Sequence, residues 1–229
     1  MECIVLAGGL GTRLRHTIGD FPKCMALVNG KPFLHYIFHQ LKDQKCKRVI
    51  LALGYKHDVV TDWLKNVEAD FEIDFVIEDE PLGTGGGIAK AASVAVSDNI
   101  VVLNGDTFFD VDLNQLIAFH LMKNASTTLA LKEMRQFERY GSVTVDESDR
   151  ILSFEEKKFQ PYGFINGGLY VVNKESFLQK ALPLKFSFEK DYLETFVQEG
   201  KFFGQKNKGY FIDIGVPDDY AQAQIDFSK

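Results

Sequence analysis

Long apolar runs are missing from this 229-residue chain. No stretch approaches the roughly 20 residues that span a bilayer, and no basic segment followed by an apolar one opens it as a secretion signal would. A cytoplasmic protein with no membrane partner is the expectation. Cysteine is scarce. Cys3, Cys24 and Cys46 are odd in number and lack metal-binding spacing, so free thiols in a reducing compartment are the plain reading. Excess positive charge is also missing. Twenty-six Lys and Arg against 32 Asp and Glu leave a formal net charge of −6, which argues against a nucleic-acid partner without forbidding a small basic pocket. His35 and His39 lie four apart on an expected helix with no third ligand nearby, and packing or surface roles suit them better than a metal. No linker, repeat or low-complexity tract interrupts the chain, so residues 1–229 are read as one domain.

Two common nucleotide loops are absent as well. A dinucleotide fold wants G-x-G-x-x-G, and Leu14 stands where its last glycine should be. No Gly-Lys-Ser/Thr triplet exists to open a phosphate-binding helix. What is present is an apolar run, Cys3 to Ala7, flowing into Gly8-Gly9-Leu10-Gly11-Thr12-Arg13-Leu14, with Pro22-Lys23 close behind. Consecutive glycines leave backbone N–H groups uncovered. Arg13 and Lys23 add two fixed positive charges, a combination that suits a nucleoside triphosphate.

The first half alternates strand and helix patterns. Strands are expected at 2–7, 48–53, 73–78 and 99–104, and helices at about 33–45, 57–67, 85–96 and 112–122. That alternation implies an α/β fold, a Rossmann-like, mainly parallel sheet flanked by helices, with ligands beyond the carboxyl ends of the strands. Gly8–Gly11, Gly54-Tyr55, Glu78–Gly87 and Asn104-Gly105-Asp106 all fall at such ends. After about residue 125 the pattern changes to short strands near 126–134, 141–146, 150–155 and 164–172. These read as antiparallel additions that extend the sheet and wall the cleft. A helix near 188–199, strands near 201–213 and a helix from about 217 follow. Residues of about 1–122 would bind nucleotide and those of about 123–229 the second substrate.

Asp106 ends the apolar run Val101 to Leu103 and its polar turn, and Asp213 ends Phe211-Ile212. Such a residue ordinarily serves a turn or helix cap. A triphosphate brings Mg²⁺, held by one or two carboxylates with phosphate oxygens, and two aspartates at one sheet edge could face one ion.

The opening Leu6 to Leu14 with Pro22-Lys23 resembles the signature of the sugar-1-phosphate nucleotidylyltransferase family, and the likeness extends to Asp213. The resemblance implies that Leu6, Gly8, Gly9, Gly11 and Thr12 wrap the nucleotide. It also implies that Arg13 holds the outgoing pyrophosphate, Lys23 contacts the phosphates, and Asp106 with Asp213 coordinates Mg²⁺. Leu82-Gly83-Thr84-Gly85 is similar to the family's base-binding loop, which gives Gly83 and Thr84 the nucleobase; Asn104 and Gly105 are also expected to bind the nucleotide. Glu78 stands where some relatives carry a base-reading glutamine; a carboxylate would accept from the N1–H and N2–H₂ edge of guanine, which uracil lacks. Tyr140-Gly141, Glu155-Glu156-Lys157 and Asn166-Gly167 resemble its sugar-side motifs. Tyr140, Gly141, Glu156, Asn166 and Gly167 would then meet the sugar and Lys157 its phosphate. Ser187-Phe188-Glu189-Lys190-Asp191 also resembles relatives, with a supporting role for Lys190.

The implied reaction joins a nucleoside triphosphate to a sugar 1-phosphate and releases pyrophosphate. Within the family, Lys31-Pro32-Phe33-Leu34, G-T-G-G-G-I and S-F-E-K-D look most like guanylyltransferases of D-glycero-α-D-manno-heptose 1-phosphate, which make GDP-heptose for bacterial surface polysaccharides. Uridylyltransferases of N-acetylmuramate 1-phosphate and guanylyltransferases of mannose 1-phosphate are the alternatives. A non-catalytic nucleotide-sugar sensor is a rival of another class, disfavoured because Arg13, Lys23, Asp106 and Asp213 are all present. Many relatives continue into a C-terminal β-helix, which is not expected here. A homodimer is left open.

Overall fold

The computed structural model describes residues 1–9, 11, 14 and 19–228. Its elements run β1 (Glu2–Leu6), a 3₁₀ turn (Lys23–Met25), β2 (Leu27–Val28), β3 (Lys31–Pro32), α1 (Phe33–Asp43), β4 (Arg48–Leu53), α2 (His57–Leu64), β5 (Glu72–Ile77) and α3 (Gly83–Ala92). There follow β6 (Asn99–Asn104), β7 (Thr107–Phe109), α4 (Leu113–Met122), β8 (Thr127–Phe137), β9 (Val143–Val145), β10 (Ile151–Phe154), β11 (Gln160–Asn173) and α5 (Lys174–Leu178). A π-helix (Phe188–Glu194), a 3₁₀ turn (Val197–Glu199), β12 (Phe202–Asn207), β13 (Phe211–Asp213) and α6 (Pro217–Asp226) complete the order.

Seven strands form the main sheet in the order β12-β8-β11-β6-β1-β4-β5. Every pairing is parallel except the two made by β11, which runs against β6 and β8. The expected mixed, mainly parallel sheet is therefore what forms. The antiparallel extension is narrower than expected. Among the described residues only β8 and β11 extend the sheet as antiparallel partners, while β9 and β10 form a separate ladder. Helix α3 begins at Gly83, two residues before the expected start, which puts Gly83 and Thr84 in its first turn. The expected helix at 188–199 is a π-helix followed by a 3₁₀ turn.

β1 alternates between two cores. Cys3 and Val5 pack with α1, α4 and α6, whereas Ile4 packs on the opposite face with α3, α5 and the π-helix. Burial on both faces explains why β1, β4 and β6 are continuous apolar runs. The same pairing sets the carboxyl ends flush: Leu6 lies opposite Ala52 and Asn104, and Leu53 opposite Ile77. Gly8, Gly54, Glu78 and Gly105 thus emerge side by side along one edge. Among the described residues no helix is long and apolar enough to cross a membrane.

Candidate active site

A cavity of about 300 Å³ opens along that edge. It gathers Leu6, Gly8, Gly9, Lys23, Glu78, Gly83, Thr84, Asn104, Gly105 and Asp106. Its floor depends on missing side chains. Gly105 N donates to Leu6 O at 2.9 Å, and a Cβ on Gly105 would overlap that carbonyl. A Cβ on Gly8 would come within 3.1 Å of Gly54 N, and one on Gly87 within 2.7 Å of Glu78 Oε1. Glu78 Oε2 accepts from Leu82 N at 2.9 Å. Burial raises the Glu78 carboxyl above the usual carboxylate range, with Leu82 N–H and Lys90 pulling the other way. Asn104 Oδ1 is buried and accepts no hydrogen bond among the described residues. Gly11 has φ +60 and packs against Lys23. Arg13 and Thr12 lie outside the described residues.

Asp106 and Asp213 come together through a two-stranded ladder outside the main sheet. Asp213 pairs opposite Thr107, and Ile214 N donates to Asp106 O at 3.0 Å. Lys23 Nζ donates to Asp106 Oδ2 and lies 3.6 Å from Asp213 Oδ1, which also accepts from Gly215 N at 2.7 Å. One ammonium thus neighbours both carboxylates, so one metal ion could as well. No group of three or more His, Cys, Asp or Glu suited to a metal occurs among the described residues. Two carboxylates with the remaining positions left to water and phosphate oxygens are the donor set Mg²⁺ prefers, and the pair fits that ion.

Of the residues expected to meet the sugar, Tyr140 and Gly167 adjoin this ladder. The Tyr140 ring packs edge-on against Phe211 at 5.9 Å, and Phe211 against Phe109 at 5.5 Å. A Cβ on Gly167 would overlap the Phe109 ring. Burial, reinforced by the charges of Asp213 and Asp219, pushes the Tyr140 phenol up to about 12. Gly141 packs under the Glu155 carbonyl, and Ser142 bridges to Ile165, the residue before Asn166. Asn166 is partly committed within the protein: Nδ2 donates to Tyr170 Oη at 2.8 Å and Oδ1 accepts from Gly168 N at 3.0 Å. Glu156 and Lys157 are exposed on the loop after β10.

A family model described as nucleotidyl transferase matches residues 2–229. The chain belongs to the nucleotidyl transferase family. It is 48% identical over 224 residues to a D-glycero-α-D-manno-heptose 1-phosphate guanylyltransferase of Aneurinibacillus thermoaerophilus, covering 98% of this chain and 97% of the relative. A protein of the same description from Campylobacter jejuni is 48% identical over 220 residues, covering 96% and 97%. The structure of HddC from Yersinia pseudotuberculosis complexed with GMP-PN superposes with TM-score 0.90 at 39% identity, covering 99% of each chain.

In this nucleotidyl transferase the run Gly83-Thr84-Gly85-Gly86-Gly87 is also a packing surface. Gly83, Gly85 and Gly86 form the seat of residues 184–188. A Cβ on Gly83 would lie 2.5 Å from Phe186 O and one on Gly86 2.5 Å from Leu184 O. Gly85 N donates to Phe186 O at 3.0 Å, and Phe186 N to Leu82 O at 2.9 Å. Thr84 closes the junction, accepting from Phe188 N at 2.9 Å and donating to Glu189 Oε2 at 2.8 Å. Glu189, absent from the expected site, therefore bears on the first turn of α3, whereas the Lys190 side chain is exposed and not part of this junction. The sequence signal for Glu189 is the acid within the S-F-E-K-D motif, next to the lysine.

Proposed function

We propose that this enzyme transfers a guanylyl group from GTP to D-glycero-α-D-manno-heptose 1-phosphate, giving GDP-heptose and pyrophosphate. One observation carries the reading: a glycine-floored pocket and two carboxylates meeting at one cation share a cleft in a chain 48% identical over nearly its whole length to two such guanylyltransferases. A phosphate oxygen of the sugar substrate attacks the α-phosphorus. The new O–P bond forms as the bond to the β-phosphate oxygen breaks, and pyrophosphate leaves in line. The attacking oxygen is already an anion, so no serine, cysteine or histidine nucleophile is needed. The work left to the protein is positioning and charge neutralisation.

Lys23 at the cleft floor offsets phosphate charge, Arg13 the departing pyrophosphate, and exposed Lys157 the incoming sugar phosphate. Asp106 and Asp213 would hold Mg²⁺, which supplies charge neutralisation to the phosphate oxygens. Leu6, Gly8, Gly9, Gly11, Thr12, Gly83, Thr84, Asn104 and Gly105 frame the nucleotide. Glu78 Oε1, on the pocket floor, accepts from the guanine edge. Tyr140, Gly141, Glu156, Asn166 and Gly167 border the sugar.

The test is a matrix of GTP, UTP, ATP and dTTP against heptose, mannose and N-acetylmuramate 1-phosphates, read by pyrophosphate release with and without Mg²⁺. Turnover should be highest for GTP with the heptose, depend on Mg²⁺, and lose its preference over UTP in Glu78→Gln. A preference for UTP would overturn the base assignment. No pyrophosphate release from any pair would overturn the reaction.

A further inference from the structure

We propose that Lys23 is the resident counter-ion of the metal site, its ammonium competing with a divalent cation for Asp106 and Asp213. Nucleotide phosphate, by drawing Lys23 away, would then open the pair to the metal. The inference rests on the reading that these two carboxylates are the metal ligands.

Three observations carry it. First, the ammonium stands between the carboxylates, hydrogen-bonded to Asp106 and 3.6 Å from Asp213 Oδ1. A cation bound by both would have to share or take that position, and two cations there repel at short range. Second, the contact is enclosed. The Lys23 side chain is 12% exposed, against 30% and 27% for the two aspartates, so water screens it weakly. Third, the fold makes room for it there. Gly215 is the residue whose Cβ would lie 2.5 Å from Lys23 Nζ, and Lys23 is anchored at its base by the 3₁₀ turn that follows Pro22. The long, flexible lysine stem lets the charged tip move while that base stays fixed.

The consequence is a coupling between ligands. Lys23 also lines the nucleotide pocket, so a phosphate there offers its ammonium an alternative partner. Whatever draws the ammonium from the aspartates favours the metal, and by linkage the metal favours the phosphate equally. The lysine offsets part of the charge of two close carboxylates until substrate arrives, and holds back metal that comes without nucleotide.

Mn²⁺ binding, followed by its paramagnetic signal without nucleotide and again with saturating GMP, tests this. GMP carries a single phosphate that holds Mn²⁺ only weakly in solution. In the wild type Mn²⁺ alone should bind weakly and tighten when GMP is added. Lys23→Met and Lys23→Gln, checked for folding by circular dichroism, should bind Mn²⁺ alone more tightly than wild type by on the order of 10- to 100-fold, the span of ordinary coupling between sites. Their further tightening with GMP should be largely gone. Variants that bind Mn²⁺ alone no better than wild type would overturn the competition. Adding Asp213→Asn separates the two readings. Loss of Mn²⁺ binding in the double variant upholds the aspartates as ligands whatever Lys23 does, and retained binding removes the metal site itself.

Discussion

Replacing Gly85 by alanine sets two effects of opposite sign against each other. Gly85 lies in the first turn of α3 and is buried. Helix propensity alone predicts that alanine stabilises it, by at most about 1 kcal/mol. The seat for residues 184–188 predicts the reverse. The added methyl would overlap the Phe186 ring, lying 2.8 Å even from its third-nearest carbon, where carbon atoms prefer about 3.5–4.0 Å. Phe186 is only 6% exposed, packs on Phe177, and its backbone is tied to both Leu82 and Gly85, so the ring has little freedom to retreat. Overpacking of this kind costs about 1–3 kcal/mol, sometimes more. The net expectation is a loss of about 1–2 kcal/mol, or a fall in Tm of about 2–8 °C for a chain of this size. Displacing Phe186 also pulls Phe188 and Glu189 from Thr84, so KM for GTP should rise. Thermal unfolding followed by circular dichroism decides it. A variant that melts at or above the wild-type temperature would refute the claim that this glycine exists for docking.

Two further outcomes are expected. Arg13→Ala should lower turnover about 10²–10³-fold with Tm retained, as for other groups that stabilise developing charge; wild-type turnover would sink its role. Stability should also fall with acid through His120, which is 1% exposed. Asn99 Oδ1 can only accept, so His120 Nε2 donates to it at 3.1 Å, while Nδ1 accepts from the Thr128 hydroxyl at 2.9 Å; the ring is neutral. Burial lowers its pKa to about 4, so the unfolded chain takes up a proton that the folded chain refuses. The stability is complete above the unfolded value near 6.5 and drains away as pH falls towards 4, by up to about 3 kcal/mol. Between pH 7.5 and 4.5 the wild type should therefore lose more stability than His120→Gln, and equal losses in denaturant titrations would remove this histidine as a cause.

Much of the architecture could be read from one dimension. Alternating apolar strands and amphipathic helices imply parallel crossovers, and the glycine-rich, polar turns after β1, β4, β5 and β6 had to share one edge because parallel strands share a direction. The glycines after β1, with Arg13 and Lys23, pointed to a nucleoside triphosphate, and the family resemblance supplied the reaction. Tertiary structure alone decided which distant pieces meet. Asp213 reaches Asp106 through the short β7–β13 ladder rather than the main sheet, and Lys23 lies between them. The Asn166 amide turns partly inward to Tyr170 and Gly168, and Glu189 rather than Lys190 closes on Thr84. Glycine is where the two sources of information part most clearly. Its letter announces a missing side chain, but whether the space serves a ligand, a carboxylate or a neighbouring segment depends on contacts between residues far apart in the chain, which local spacing does not encode.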